Sequence, residues 1–190
     1  MKIGLFFGSF NPIHVGHLII ANVVHECTDV DEVWFVVSPQ NPLKKNKNLL
    51  HEFDRLDLVQ AAIADDYHFR VSDVEFNMPK PSYTIDTLTV LTEKHPNHDF
   101  SLIIGSDNLG SLPRWKNHDQ ILKNFRLIVY PRPNSEVSEL INHPKVKMVE
   151  APEMEISATL IRKMIREGKS IRYLVPDTAI SRIEAKKLFV

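Results

Sequence analysis

The amino-acid sequence predicts an α/β protein built on a doubly wound, mostly parallel sheet. Three observations carry that expectation. Residues 3–7 and 33–37 are short apolar runs bounded by turn or acidic residues, the pattern of strands buried on both faces. Segments with apolar side chains at helical spacing alternate with such runs along the chain. A first strand, loop, helix and second strand fit within residues 3–37, the extent of one crossover unit.

Gly8 and Ser9 end the first strand, and Val15, Leu18, Ile19, Asn22, Val23 and Glu26 share one face of the following helix until Asp29 and Asp31 interrupt it. A helix near 53–64, a strand at 69–72, a helix near 83–94 and a strand at 100–104 come next. Residues 126–130 and 146–149 supply two more strands. Residues 157–167 form a helix that Gly168 can stop through its tolerance of positive φ, and 177–188 a last helix. The Pro-containing stretches 38–47, 77–82 and 131–135 read as loops too short to be domain linkers. One domain over residues 1–190, with a helical C-terminal portion from about 157, is expected.

Lys and Arg number 23 against 24 Asp and Glu, so the net charge of −1 provides no field to hold nucleic acid or an acidic membrane. A small-molecule partner is favoured, and homo-oligomerisation is left open. Cys27 is the single cysteine, which excludes an internal disulfide and a cysteine-built zinc cage; a buried, inert thiol in a reducing compartment is expected. No apolar run approaches the ~18 residues of a membrane span, and Met1 leads straight into a strand-like segment rather than a secretion signal. A cytoplasmic location is therefore expected.

In an open α/β sheet, ligands bind beyond the carboxyl ends of the strands, so the loop after the first strand is the first candidate site. It reads Gly8-Ser9-Phe10-Asn11-Pro12-Ile13-His14-Val15-Gly16-His17. Gly8 allows a sharp turn, and His14 and His17 project from one face of a helix start beside unpaired backbone N–H groups. That convergence of donors suits a triphosphate. Histidines that only cap and pack, or a metal pair lacking a third ligand, are the alternatives.

The segment resembles the nucleotidylyltransferase signature with its His-x-Gly-His core, which also resembles that of class I aminoacyl-tRNA synthetases. A second motif, Ile156-Ser157-Ala158-Thr159-Leu160-Ile161-Arg162, resembles the same family's Ile-Ser-x-Thr-x-Ile-Arg element. Ser157 is a good N-cap residue, and Thr159 and Arg162 fall in the first turns of that helix, where a hydroxyl and a guanidinium can grip phosphate. An ordinary capped helix is the alternative there. The resemblance implies a Rossmann-like nucleotidylyltransferase fold and direct attack by a substrate phosphate on the α-phosphate of ATP. It implies that His14, His17 and Arg162 serve catalysis. It further implies that Gly8, Ser9, Phe10, His14, Gly16, His17, Asp107, Ser157, Thr159 and Arg162 bind ATP. Mg²⁺ would arrive with ATP, and no residue of the chain is assigned as a metal ligand. A phosphate monoester is already largely ionised at neutral pH, in keeping with the lack of a paired-carboxylate motif for acid–base work.

Pro81-Ser82-Tyr83-Thr84-Ile85-Asp86-Thr87-Leu88 resembles the Pro-Ser-Tyr-Thr-x-x-Thr-Leu pattern of nicotinate-nucleotide adenylyltransferases, whose Tyr-Thr pair sits beside the pyridine ring. Ser82 as a helix cap would favour a negative nicotinate group over an amide. Gly105-Ser106-Asp107-Asn108-Leu109 resembles the family's Gly-x-Asp nucleotide contact, and Trp115 matches an aromatic position that can stack on a pyridinium. Asn11, Lys44, Ser82, Tyr83, Thr84, Trp115 and Arg132 are the residues expected to bind the mononucleotide. The loop carrying Lys44 departs from the family's Pro-Pro-His-Lys form, and Lys44, Lys45 and Lys47 also read as a solvated basic loop. Trp34, inside a strand, reads as packing. The resemblance implies transfer of AMP from ATP to nicotinate mononucleotide in NAD biosynthesis. An adenylyltransferase for nicotinamide mononucleotide or phosphopantetheine, and a nucleotide-sensing module without catalysis, are the competing readings.

Overall fold

The computed structural model describes residues 1–40 and 49–190, and Lys44 lies outside the described residues. Six strands, β1 (Lys2–Gly8), β2 (Glu32–Val37), β3 (Phe69–Ser72), β4 (Asp99–Gly105), β5 (Arg126–Tyr130) and β6 (Val146–Met148), form one sheet in the order β3-β2-β1-β4-β5-β6. Every pairing is parallel. This is the strand order of a Rossmann-like, doubly wound sheet, and it reverses direction between β1 and β4, where a ligand crevice opens.

The helices are α1 (Val15–Cys27), α2 (Glu52–Ala62), α3 (Thr84–Lys94), α4 (Ser106–Ser111), α5 (His118–Asn124), α6 (Ala158–Arg166) and α7 (Asp177–Ala185). Side chains alternate along each strand and so feed two cores. Val33, Phe35 and Val37 meet Ile20 and Val24 of α1, Leu58 of α2, Ile161 of α6 and Ile183 of α7. Trp34 and Val36 meet Leu88 and Leu91 of α3, Leu109 of α4 and Ile121 of α5 on the opposite face. Covering both faces is what makes the strands read as unbroken apolar runs. Trp34 is indeed packing: it is buried, and its Nε1 donates to Glu32 Oε2 at 2.9 Å.

Several local expectations are corrected. The buried residues of α1 are Gly16, Ile20, Ala21 and Val24, whereas Ile19, Asn22 and Glu26 of the expected face are exposed. Gly16 and Ala21 are small, so this stripe lets the helix approach the sheet more closely than the bulkier one. Cys27, expected to be buried, is exposed, because the last turn of α1 runs beyond the sheet-covering stripe. The short α4 and α5 carry too little periodic pattern to be predicted. Buried Leu109, Ile121 and Leu122 hold them in place, at roughly 1.5–3 kcal/mol for each fully buried side chain. Gly168 does end α6, at φ 65°. Among the described residues no helix is long and apolar enough to cross a membrane.

Candidate active site

Two adjoining clefts open beyond the carboxyl ends of β1, β4 and β5, with Phe6 and Tyr130 lining both. The smaller is lined by His14, Gly16, His17, Arg132 and Ile156. The larger, of about 170 Å³, is lined by Gly8, Ser82, Tyr83, Thr84, Trp115 and neighbours from β1 and β4.

The β1–α1 loop is shaped by packing. Gly8 belongs to β1 and lacks the positive φ that a sharp glycine turn would need; the left-handed residue is Phe10, at φ 44°. Phe10 folds its ring back so that a Cβ on Gly8 would stand 2.7 Å from it. The ring is buried 5.1 Å from that of His17 and 5.6 Å from that of Phe35, so only the backbone of Phe10 is available to a ligand. His14 is the N-cap of α1, and its backbone N–H donates to His17 Nδ1 at 3.2 Å. In neutral His17 the proton therefore sits on Nε2, which becomes a donor. The two imidazoles stack at 3.7 Å. A Cβ on Gly16 would crowd His14 Nδ1 to 3.0 Å, which accounts for glycine between the histidines. Burial, with Arg132 adding to it, holds the pKa of His14 down to about 4, so this imidazole is neutral at physiological pH.

The late motif closes onto this loop. Ser157 caps α6 by accepting the Leu160 N–H at 3.2 Å, leaving other first-turn N–H groups for a ligand. Arg162 donates through Nη1 to the Asn11 carbonyl at 2.7 Å and through Nη2 to Thr159 Oγ1 at 3.3 Å. Burial lowers the pKa of Arg162, with Arg166 adding to the effect. The first N–H of α1, from Val15, is spent on the Leu174 carbonyl at 2.9 Å.

On the acceptor side, Tyr83 rather than Ser82 is the N-cap of α3. Ser82 is buried, and its hydroxyl donates to Glu75 Oε2 at 2.8 Å, a partner that outcompetes the backbone cap. Trp115 lies at the larger cleft beside Tyr83 and packs against the second core, with its Nε1 buried and, among the described residues, unpartnered. Asn11 is buried below the loop, its Oδ1 accepting the Leu50 N–H at 3.2 Å. Arg132 lies across the Phe6–Tyr130 partition from Tyr83 and Trp115, at the smaller cleft with the histidines. Its Nε stands 3.9 Å from Asp107 Oδ1, and its backbone N–H donates to Ser106 Oγ at 2.9 Å. Asp107 is exposed in the first turn of α4, just beyond the end of β4.

Sequence reasoning missed two buried charges. Arg55 of α2 is fully buried and donates to four carbonyls, those of Leu50 (2.9 Å), Ser9 (2.6 Å), Ser38 (2.8 Å) and Pro39 (3.1 Å). It thus ties the β1–α1 loop to the segment after β2. Burial lowers its pKa to about 10, leaving it cationic at neutral pH. The available signal was its place one turn before Leu58 and Val59 on the inward stripe of α2. Glu75 lines the larger cleft from the 3₁₀ turn Val74–Asn77. Arg114 and Lys116, flanking Trp115, also line that cleft.

The β3-β2-β1-β4-β5-β6 sheet is a Rossmann-like α/β arrangement, with a histidine-bearing loop and a late helix start brought together at its switch point. The cytidylyltransferase-like family matches residues 5–164. A Cytophaga hutchinsonii protein named as a nicotinate-nucleotide adenylyltransferase is 61% identical over 189 residues, covering 100% of this chain and 98% of its own. One of the same name from Bacteroides thetaiotaomicron is 47% identical over 175 residues, covering 92% and 87%. The solved structure of Plasmodium falciparum nicotinic acid mononucleotide adenylyltransferase complexed with NaAD superposes with a TM-score of 0.83, covering 99% of this chain and 97% of its own. At 21% identity that likeness speaks for the fold. The chain belongs to the cytidylyltransferase-like family and, within it, to the nicotinate-nucleotide adenylyltransferases.

Proposed function

We infer that the chain transfers the AMP moiety of ATP to nicotinate mononucleotide, giving nicotinate adenine dinucleotide and pyrophosphate. The observation that carries this reading is the meeting of two motifs from opposite ends of the chain: Arg162 reaches the Asn11 carbonyl at 2.7 Å, and Ile156 lines one cleft with His14 and His17. The names of the relatives support the acceptor.

In the reaction a phosphate oxygen of the mononucleotide forms a bond to the α-phosphorus of ATP. The bond from that phosphorus to the α–β bridging oxygen breaks, and its electron pair leaves with pyrophosphate. The attacking oxygen is already anionic, so the chain's task is positioning and charge stabilisation. His17, donating from Nε2, and His14 face the α-phosphate. Gly8, Ser9, Gly16 and the Phe10 backbone shape the phosphate loop, and Ser157, Thr159 and Arg162 hold the triphosphate. Arg132, expected at the mononucleotide, is better placed beside the histidines to meet phosphate. Asp107 accepts a ribose hydroxyl. Tyr83, Thr84 and Trp115 enclose the pyridine ring, while Asn11 fixes the backbone at Leu50 and Ser82 holds the Glu75 side chain at the cleft.

Among the described residues no group of three or more His, Cys, Asp or Glu is placed to hold a metal ion. Mg²⁺ would be carried in by the triphosphate, where it would offset phosphate charge while keeping most of its waters. The reaction belongs to NAD biosynthesis in the cytoplasm.

The deciding assay measures pyrophosphate release with ATP, Mg²⁺ and one of three acceptors: nicotinate mononucleotide, nicotinamide mononucleotide or phosphopantetheine. Nicotinate mononucleotide should give the highest kcat/KM. Turnover of phosphopantetheine without turnover of the pyridine nucleotides would overturn the reading, and binding without release would make the chain a sensor.

A further inference from the structure

The larger cleft contains an acid for which the reaction above has no use. Glu75 is only 2% exposed, yet it lines that cleft together with Tyr83 and Trp115. Ser82 Oγ donates to its Oε2 at 2.8 Å, and Thr87 Oγ1 to its Oε1 at 2.7 Å. Both oxygens act as acceptors, the pattern of an ionised carboxylate. Among the described residues its hydrogen-bond partners are both neutral. Of the described cations lining the cleft, Lys116 is paired with Asp86 at 2.8 Å and lies 4.8 Å from the Tyr83 ring centre, and Arg114 is exposed. A carboxylate buried with neutral partners alone is costly, and a cation entering the cleft relieves that cost.

We propose that Glu75 is the counter-charge for the pyridinium ring of the acceptor, and so a residue that determines specificity for a cationic ring. The inference rests on the acceptor reading given above and deepens it. The ring nitrogen of a pyridine mononucleotide bears the ribose, so its positive charge is permanent and it has no N–H to donate. Such a cation is recognised by a nearby field and by aromatic faces, not by a hydrogen bond. Glu75 meets that requirement, because Ser82 and Thr87 each hold one of its oxygens in place while its charge still acts across the cleft. This also gives the Pro81-Ser82-Tyr83-Thr84 segment and Thr87 a shared purpose: the two hydroxyls orient the acid, and Tyr83 and Thr84 contact the ring.

The test compares nicotinate mononucleotide with its 1,4-dihydro form, whose ring nitrogen is neutral, as competing ligands of the full chain in the pyrophosphate-release assay. Glu75→Gln keeps the side-chain size, and Ser82 and Thr87 can accept from the amide as readily as they donate to the acid. It should weaken binding of the charged-ring acceptor about tenfold and of the neutral-ring form less than about threefold, with KM for ATP unchanged. Glu75→Asp, which keeps the charge, should retain most of the preference for the charged ring. Equal losses for both rings would reduce Glu75 to a strut for Ser82 and Thr87 and overturn the proposal, as would no loss for either. Those outcomes leave the acceptor reading standing, because the unaltered chain turns over nicotinate mononucleotide in the same assay. Failure of the unaltered chain to do so would overturn both.

Discussion

Replacing Arg55 by methionine removes a cation that serves four carbonyls from three separate stretches of backbone. Methionine fills much of the same volume, so the main loss is polar. A hydrogen bond to a charged group contributes about 1.5–3 kcal/mol, and a buried acceptor left unsatisfied costs about 1–3 kcal/mol. Two effects reduce the sum: the folded state no longer buries a guanidinium, and water can reach those carbonyls that are only partly covered. A net loss of about 3–4 kcal/mol is expected, within the range for breaking a buried charged network. Urea denaturation at pH 7 would show it as a fall in midpoint at unchanged slope. Arg55→Lys should recover less than half, since an ammonium is a point donor and cannot span the forked geometry. A loss below about 1 kcal/mol for Arg55→Met would refute the reasoning.

Two other outcomes follow from the same geometry. His17→Ala should lower kcat by roughly 10²–10³-fold, the scale for losing one transition-state donor, with the thermal midpoint little changed; turnover like that of the unaltered chain would remove His17 from the mechanism. His14 titrates near 4 in the folded chain against an ordinary 6.5. As pH falls the unfolded chain binds this proton first, so the stabilisation from keeping His14 neutral is complete above 6.5 and lost as pH drops from 6.5 towards about 4. The loss amounts to roughly 3 kcal/mol. His14→Asn should flatten that stretch of the stability curve, and parallel curves for the two proteins would disprove the assignment.

The strands and the phosphate motifs were legible because their signals are local. Residues 3–7 and 33–37 are apolar on both faces, and the His-x-Gly-His and Ile-Ser-x-Thr-x-Ile-Arg segments are read without knowing what lies near them. The inward stripe of α1 was misread because apolar residues circle that helix, and what decided between its faces was the small size of Gly16 and Ala21. Ser82 was misassigned for a related reason. Its sequence neighbours offer a helix to cap, while Glu75, the partner it takes, becomes visible only when the chain folds. The helical stripe shared with Leu58 and Val59 could have shown that Arg55 faces inward, but not what it binds, since all its partners are backbone carbonyls and carry no residue-type signal.

The bond from Arg162 to the Asn11 carbonyl, and that from Val15 to the Leu174 carbonyl, also set a timetable for the newborn polypeptide. Synthesis runs from the amino end, so the histidine loop leaves the ribosome long before the residues that brace it exist. Until translation has passed Leu174, that loop does not have both its guanidinium clasp and the carbonyl that fastens the first turn of α1. A chain cut short before Arg162 would lack both bonds that fasten the loop, and one cut between Arg162 and Leu174 would lack the second.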